Sequence, residues 1–295
     1  MSILGRLKKY ARKKLEIDKD VDRLQKQIHF LSALVNFSGQ NTMEPNPALK
    51  AKLLLFFQND RGLKDLYFPV HKNDIMFLYH LYHHQSDTEE AFKSYYRVGL
   101  NIAESCADQI NKHTAEKQSI LDFGSGYGRV SRFLPFFFPN ANIFISEIKP
   151  DALLFQKEEF GFETVAHTHL AESFPTKSFD IIIAGSVFTH LPQDLFEKWY
   201  AVLCKSINKK GMVMFSYNDI ERIASPNNPD IHYTSQSEDS FFRVSDRLAD
   251  DNTYGLTFVS QNYLSKLAKD NGLEIYFEKE VQLAKQKIAV LKNPS

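Results

Sequence analysis

The stretch ILDFGSGYGR, residues 120–129, decides the fold of this chain. Its apolar run ends in the acid Asp122, and a turn rich in glycine follows at once. The sequence then takes the spacing of a helix, with apolar residues at Val130, Phe133 and Leu134. A strand, a glycine turn and a helix in this order predict an α/β ligand-binding unit, because glycine lets backbone N–H groups approach a ligand closely.

The acid before the turn favours a ligand with a cationic group over a dinucleotide. The spacing is D-x-G-x-G-x-G, which differs from the G-x-G-x-x-G pattern that contacts a pyrophosphate. Asp122 would repel a phosphate but would hold an amino group. About 20 residues after the glycines a second apolar run ends at Glu147, where an acid can bind both hydroxyls of a ribose.

These blocks resemble those of the class I S-adenosylmethionine-dependent methyltransferases. The matching segments are LDFGSGYGR (121–129), FISEIKPDAL (144–153) and LAESFPTKSFDIIIAGSVFTHLP (170–192), and the resemblance covers roughly residues 118–292. Within that superfamily, SVFTHLPQDLFEKWY and the ending QKIAVLKN resemble bacterial small-molecule and glycan methyltransferases. The resemblance implies S-adenosyl-L-methionine as cofactor and methyl transfer to an oxygen or nitrogen of a small molecule or glycan.

The implied fold class is α/β. We expect a Rossmann-like, seven-stranded, mostly parallel sheet with helices on both faces and an antiparallel last strand, preceded by a helical cap. The alternation of strand and helix patterns supports this expectation. The predicted strands are 118–122, 142–147, 162–166, 179–184, 211–217, 273–281 and 286–292. The predicted helices are 128–138, 150–160, 193–208 and 260–271.

The resemblance also implies a set of cofactor-binding residues: Asp122, Gly124, Ser125, Gly126, Glu147, Ile148, Ala171, Glu172 and Gly185. Asp122 and the glycine turn would hold the amino-acid end of the cofactor, and Glu147 would hold the ribose. Ile148 would pack beside the adenine, and the backbone N–H of Ala171 would bind it.

One position departs from the family pattern. Leu170 stands where many relatives have an aspartate that accepts a hydrogen bond from the adenine amine. Glu172 can supply the acceptor if the register shifts by two residues, and the Ala171 backbone can still bind the base. The departure therefore changes the expected contact to the adenine amine and leaves the other cofactor contacts as expected.

His190 is the candidate general base, because it follows the fourth strand of the predicted core and a histidine exchanges protons near neutral pH. The alternative is an imidazole that bonds to the backbone and shapes the loop. The chain has no Asn-Pro-Pro-Tyr or Asp-Pro-Pro-Tyr sequence, which marks transfer to a base nitrogen in similar enzymes, so a nucleic acid is not expected as acceptor. The candidate acceptor-binding residues are Tyr95, Tyr96, His232, Tyr233 and Arg243.

The sequence divides into three predicted regions. Residues 1–38 have apolar residues at alternating steps of three and four, the period of a coiled coil. That helix is expected to contact a second subunit or to pack on its own domain; an anionic membrane surface is a less favoured alternative. Residues 48–113 form the aromatic-rich helical cap. Residues 114–295 form the methyltransferase core, in which the polar segment 218–257 is predicted to be an acceptor-binding lid.

The composition is that of a globular protein, with 295 residues, 43% hydrophobic residues and a formal net charge of zero. Zero net charge argues against a chain selected to bind nucleic-acid phosphates. The two cysteines, Cys106 and Cys204, are far apart and predict neither a disulfide framework nor a metal cluster, so no metal is expected. No apolar run approaches the ~20 residues of a membrane span, and a signal-peptide core is absent, so we expect a cytoplasmic protein.

Two other functions remain open at this point. One is protein or RNA methylation, with the basic N-terminal helix as a docking arm. The other is a non-catalytic scaffold subunit that keeps the methyltransferase fold for assembly. The acids Asp122 and Glu147 argue against the scaffold, because a fold kept for assembly alone has no use for them.

Overall fold

The computed structural model describes most of the chain. The described residues are Lys14, Val21, Leu24, Gln25, Ile28 and the ranges 41–61, 66–113, 119–166, 168, 170–224, 226, 228–234, 255–283 and 286–294. They belong to two compact units, Met1–Tyr96 and Arg97–Ser295, called unit 1 and unit 2 below.

Some predictions fall on residues that the structure does not describe. In the helix predicted over residues 1–38, the five described residues are helical and exposed. The rest of that helix lies outside the described residues, so its contact with a second subunit or a membrane stays a prediction. Residues 235–254, with the candidate Arg243, also lie outside.

Unit 1 is mainly helical. Its elements are β1 (Thr42–Met43), α1 (Pro47–Arg61), β2 (Val70–His71), α2 (Ile75–His83) and the first part of α3 (Thr88–His113). The short antiparallel pair of β1 and β2 was not expected from the sequence. Asp74 caps α2, since its Oδ1 accepts hydrogen bonds from the backbone N–H groups of Met76 and Phe77 at 2.9 and 3.2 Å.

The two units divide within α3, between Tyr96 and Arg97. The reason is visible in the second half of the helix. Gly99 lies so close to the glycine-turn region that a Cβ there would be 2.3 Å from the carbonyl oxygen of Arg129. At the end of α3, the His113 Nε2 lies 3.2 Å from the Glu278 Oε1. Residues after Arg97 therefore pack as part of the core.

Unit 2 contains the sheet. Its strands are β3 (Ser119–Phe123), β4 (Asn142–Ser146), β5 (Glu163–Ala166), β6 (Phe179–Ala184), β7 (Ile207–Asp219), β8 (Ile231–Thr234), β9 (Leu256–Val259), β10 (Glu274–Leu283) and β11 (Gln286–Lys292). The central order is β10-β11-β7-β6-β3-β4-β5. Neighbours from β7 to β5 are parallel, and β11 is antiparallel to both β7 and β10. The predicted seven-stranded sheet with a reversed last strand is confirmed.

The helices of unit 2 after α3 are α4 (Leu134–Phe137), α5 (Pro150–Phe160), α6 (Gln193–Lys205) and α7 (Gln261–Asp270), and 3-10 turns span Ser131–Phe133, Ala171–Ser173 and Ile220–Arg222. The single helix predicted over 128–138 is wrong. Gly128 has φ +78°, which keeps the chain in a turn, and regular helix begins only at Leu134. No described helix combines the length and hydropathy that a bilayer crossing requires.

Two strands occupy the ends of the segment that the sequence predicted to be a polar lid. At the carboxyl end of β7, Asn218 and Asp219 pair in parallel with Phe258 and Val259 of β9. Strand β8 pairs antiparallel with β9. Strands β8 and β9 therefore add two short strands to the sheet at the carboxyl end of β7.

The core follows from the sequence pattern. Parallel strands covered on both faces read as continuous apolar runs, and Ile181, Ile182 and Ile183 of β6 are all buried. The apolar stripe of α6 packs against this sheet through Trp199 and Leu203. The rigid sheet places the carboxyl ends of β3, β4 and β6 side by side, which is where open α/β sheets bind ligands.

Candidate functional site

Two acids lie at the carboxyl ends of neighbouring strands. Asp122 is the fourth residue of β3 and pairs with Ile145 of β4, and Glu147 directly follows β4. The glycine turn begins two residues after Asp122. The sequence-predicted acids are therefore brought together at one edge of the sheet.

The glycine turn requires its glycines for two separate reasons. Gly124, Gly126 and Gly128 have φ values of +73°, +56° and +78°, a region that L side chains rarely adopt. A Cβ at Gly124 would also lie 2.3 Å from the Val187 Cγ2, in the loop after β6. Gly124 is exposed, so the turn offers bare backbone to a ligand.

Glu147 is held in one orientation by the backbone around it. Its Oε2 accepts a hydrogen bond from the Gly126 N–H at 2.9 Å. Its Oε1 accepts from the N–H groups of Ile148 and Lys149 at 2.9 and 3.3 Å. A carboxylate has about four acceptor positions, and these bonds use three of them, so this pre-oriented group can still accept from one ligand hydroxyl while it keeps every backbone bond.

Asp122 is buried beneath the turn and accepts a hydrogen bond from the Ser131 hydroxyl. Burial raises the pKa of Asp122 to about 6, the Ser131 hydrogen bond opposes that shift, and the nearby charge of Glu147 adds to it. The buried Asp122 carboxyl group and the half-buried Glu147 carboxyl group near it create a site that favours a cationic ligand group.

Gln156 supports the glycine turn and was not identified as a site residue from the sequence. The Gln156 Nε2, on α5, donates to the Ser125 Oγ and to the Gly126 carbonyl oxygen, each at 2.8 Å. The side chain is fully buried. The available sequence signal was a glutamine on the apolar face of α5, next to the buried Phe155.

The predicted adenine contacts lie at the ends of β4 and β5, which are neighbours in the sheet. Ile148 and Leu170 are exposed apolar side chains, 46% and 56% accessible. Ala171 begins a 3-10 turn and is buried, whereas the Glu172 side chain is exposed. This part of the site therefore offers apolar surface beside a short turn.

His190 lies in the loop after β6, and its ring is fixed. The His190 Nδ1 is 2.7 Å from the carbonyl oxygen of Gly255, which precedes β9. A carbonyl can only accept, so Nδ1 carries the hydrogen and Nε2 carries the lone pair of the neutral ring. Burial lowers the pKa of His190, and the bond to Gly255 opposes that shift. The ring is therefore neutral near pH 7, with Nε2 as a proton acceptor.

The loop between β6 and His190 has a second unusual feature. Gly185 and Ser186 follow the last residue of β6, and Ser186 has φ +62°. Its backbone N–H donates to the Ser216 Oγ at 2.7 Å. The chain thus turns sharply at the strand tip and is held there by β7.

The candidate acceptor residues lie in different parts of the chain. Tyr95 and Tyr96 belong to unit 1 and are fully buried. The Tyr95 hydroxyl donates to the Asp74 Oδ2 at 2.5 Å, and the Tyr96 hydroxyl donates to the Phe68 carbonyl. His232 and Tyr233 lie on β8 of unit 2 and are half-buried.

The structure also bears on metal binding. Within the described residues, no three or more His, Cys, Asp or Glu side chains are grouped so that they could hold a metal ion.

Comparisons with known proteins fit this geometry. Residues 121–212 match the family model of a methyltransferase domain. No protein of curated function matches the chain. Among similar solved structures is CalS10, an amino pentose methyltransferase from Micromonospora echinaspora, with TM-score 0.52, 15% identity, and coverage of 69% of this chain and 96% of that chain.

Two further structures show the same fold. DesVI of Streptomyces venezuelae has TM-score 0.50 and 14% identity, covering 68% of this chain and 93% of its own. The sugar N-methyltransferase KedS8 of Streptoalloteichus has TM-score 0.50 and 12% identity, covering 69% and 93%. At such identities the structures establish the fold, while residues 121–212 carry the match in sequence. Residues 121–212 therefore match a methyltransferase domain, and the chain shares its fold with these solved structures.

Proposed function

We propose that this protein binds S-adenosyl-L-methionine at the carboxyl ends of β3, β4 and β5 and transfers a methyl group to an oxygen or nitrogen of a small molecule or glycan. One observation carries the proposal: a buried acid and a backbone-oriented acid lie on either side of a left-handed glycine turn whose first glycine, Gly124, is exposed. Each acid fits a different end of this cofactor.

Asp122 suits the amino-acid end. The cofactor's ammonium group is a cation, and Asp122 is a buried acid whose pKa is raised to about 6 chiefly by burial. An ammonium group nearby would favour the ionised carboxylate and lower that pKa again. The Gly124 and Gly126 backbone lies next to it in the turn and can approach the cofactor closely.

Glu147 and its neighbours suit the nucleoside end. The two oxygens of Glu147 are already oriented by backbone N–H groups, so one ribose hydroxyl can donate to the remaining acceptor position and a second can replace the long 3.3 Å bond from Lys149. The exposed side chains of Ile148 and Leu170 offer apolar surface for the adenine ring. The backbone N–H of Ala171 is the proposed polar contact to the base.

The sulfonium of S-adenosylmethionine supplies a methyl group that is already activated by its positive charge. The protein has to align the acceptor atom and remove its proton. His190 Nε2 is suited to take that proton, because Nδ1–H is bound to Gly255 and burial keeps the ring neutral.

Several features support a small acceptor. The chain has no basic surplus for a nucleic acid. Two of the similar structures are, by their names, an amino pentose methyltransferase and a sugar N-methyltransferase. The half-buried His232 and Tyr233 on β8 are our candidates for hydroxyl contacts.

The direct test is calorimetric titration of the purified, ligand-stripped protein with S-adenosylmethionine and S-adenosylhomocysteine. We expect micromolar binding of both. Positive binding would be followed by a screen of hydroxylated small molecules, amino sugars and sugars, with release of S-adenosylhomocysteine as the readout. If neither compound binds, the proposed cofactor site is wrong and the hypothesis of a non-catalytic scaffold is favoured.

A further inference from the structure

We propose that Gln286 is a positioning residue for the loop that carries His190. Its amide group holds Ser186 in a left-handed conformation directly after β6. The role of that loop rests on the proposed function, but the contacts themselves do not.

Ser186 needs an external support. Among the described residues of unit 2, it is the only non-glycine residue with a positive φ, +62°. An L-residue with this conformation is strained and persists only where its surroundings hold it, and such residues cluster at functional sites. Nothing lies within 4 Å of a Cβ built at the preceding Gly185, so the constraint must come from elsewhere.

Gln286 and Ser216 supply the constraint. The Ser186 N–H donates to the Ser216 Oγ at 2.7 Å. The hydroxyls of Ser216 and Ser186 then both donate to the Gln286 Oε1, at 2.7 and 2.9 Å. One amide oxygen therefore binds both the strained residue and the residue that holds its backbone.

The other end of the same amide reaches further along the loop. The Gln286 Nε2 donates to the Thr189 Oγ1 at 3.5 Å, and the Thr189 hydroxyl donates to the Ser186 carbonyl oxygen at 2.8 Å. Ser216 and Thr189 are fully buried, so water cannot readily replace these bonds. The network joins the loop to β7 and to the first residue of β11.

Two separate sets of hydrogen bonds thus fix His190. The start of β9 holds the ring and its backbone, through Gly255 and through the Thr257 N–H, which donates to the Thr189 carbonyl at 2.8 Å. Gln286 holds the beginning of the loop, where the chain leaves the sheet. This second set joins residues 100 positions apart in the sequence, so it forms only in the folded sheet.

Three variants test the inference. Gln286→Leu keeps the approximate size of the side chain and removes both hydrogen-bonding ends. Gln286→Glu keeps an oxygen that accepts from the hydroxyls of Ser186 and Ser216. Leu291→Ala, in the same strand, is the matched control, because Leu291 is buried and pairs with Val213, so its truncation removes core contacts away from Ser216 and Gln286.

Two readouts do not require turnover. One is amide hydrogen exchange of residues 185–191 under native conditions. The other is NMR of isotope-labelled histidine, with the His190 signal assigned by its loss in His190→Gln. We expect Gln286→Leu to raise exchange in this loop about tenfold or more and to shift or broaden the His190 signal, since buried hydrogen bonds are lost. Gln286→Glu should restore both readouts to near wild type.

The inference is overturned if Gln286→Leu leaves both readouts unchanged, or if Leu291→Ala produces the same local changes at equal loss of melting temperature. Titration of each variant with S-adenosylhomocysteine separates this question from the proposed function. If the wild type does not bind S-adenosylhomocysteine, the proposed cofactor site is wrong, and the loop measurements still test the role of Gln286. Wild-type affinity in Gln286→Leu, together with a loosened loop, is the expected result.

Discussion

The cofactor side and the acceptor side of the candidate site are built in different ways. On the cofactor side, backbone N–H groups of the glycine turn donate to the Ser146 carbonyl oxygen and to the Glu147 carboxylate, at the end of the adjacent strand. On the acceptor side, His190 is held by Gly255 and Ser186 by Gln286, over separations of 65 and 100 residues. The first side uses short local motifs, and the second uses side chains that meet only through the sheet.

The difference has a functional meaning. A motif whose contacts are mainly backbone can stay the same while the rest of the site changes. A loop held by distant side chains can be altered by substitutions on β7, β9 or β11, so it can be adapted to a new acceptor without disturbing the cofactor contacts. The cofactor side and the acceptor side are in contact at Gly124 and Val187. A substitution there tests most directly whether the two sides are independent.

Gly124→Ala should have the largest effect on cofactor binding. The new Cβ combines a left-handed φ with a 2.3 Å approach to the Val187 Cγ2, and the two costs sum to about 2–4 kcal/mol. Calorimetry should show S-adenosylhomocysteine affinity reduced by more than about 30-fold. Adding Val187→Ala should restore only the part due to the clash.

The matched control is Gly161→Ala. Gly161 has φ +71°, and a Cβ there meets nothing within 4 Å, so this variant carries the strain without the clash. It should lower the melting temperature and leave cofactor affinity unchanged. Equal affinity in Gly124→Ala and wild type would disprove the close approach of the two sides.

His190→Ala should affect the acceptor side of the site and leave the cofactor side unchanged. Once an acceptor is identified, turnover should fall by about 100-fold or more, the usual contribution of a general base. Affinity for S-adenosylhomocysteine should not change, because His190 makes none of the proposed cofactor contacts. A rate within a few-fold of wild type would make the imidazole a structural residue.

Glu147→Ala should weaken cofactor binding by about 1–3 kcal/mol, because the ribose hydroxyls lose their acceptors. Glu147→Gln is the paired variant, since it keeps one acceptor oxygen, and we expect an intermediate affinity. S-adenosylhomocysteine titration measures both. If both variants bind as wild type does, the ribose assignment is wrong.

The effect of pH on binding should come from Asp122. Its pKa in the free protein is raised to about 6, and a bound ammonium group favours the ionised form. Affinity should therefore be constant above about pH 7 and fall by about tenfold on going to about pH 5. Asp122→Asn should bind weakly and lose this pH dependence.

Asp122 should favour cofactor binding at a cost to the stability of the free protein. Because the folded-state pKa lies above the ordinary aspartate pKa of 3.8, the free protein is most stable when Asp122 is protonated and loses that stability as the pH rises through about 6. Asp122→Asn should thus raise the melting temperature of the free protein near neutral pH. A lower melting temperature would contradict the burial cost.

Substitution in the N-terminal helix should have the smallest effect on either side of the site. Leu24 and Ile28 are exposed and follow the seven-residue period of the predicted coiled coil. If that helix contacts a second subunit, Leu24→Glu with Ile28→Glu should reduce the oligomer in light scattering and leave cofactor affinity unchanged. A wild-type monomer would exclude this contact.

Much of the core could be predicted from the sequence, because its strands are continuous apolar runs and parallel strands are covered on both faces. The runs at Ile120–Leu121 and Ile181–Ile183 are examples, and their strands lie within a residue or two of the prediction. The errors lie where polar or short segments decide. The helix expected at 128–138 begins later because of Gly128, and the short strand β8 was not predicted within the polar segment 218–257.

The sequence alone determined the fold class, the glycine turn and the two acids, because each depends on residues close together in the chain. Only the tertiary structure decided that Gln156 supports the turn, that Gly255 selects the tautomer of His190, and that Gln286 holds Ser186. Those contacts join side chains from separate strands and helices, and no local pattern encodes which distant residue a polar group will meet. They are formed when the sheet brings the carboxyl ends of its strands to one edge.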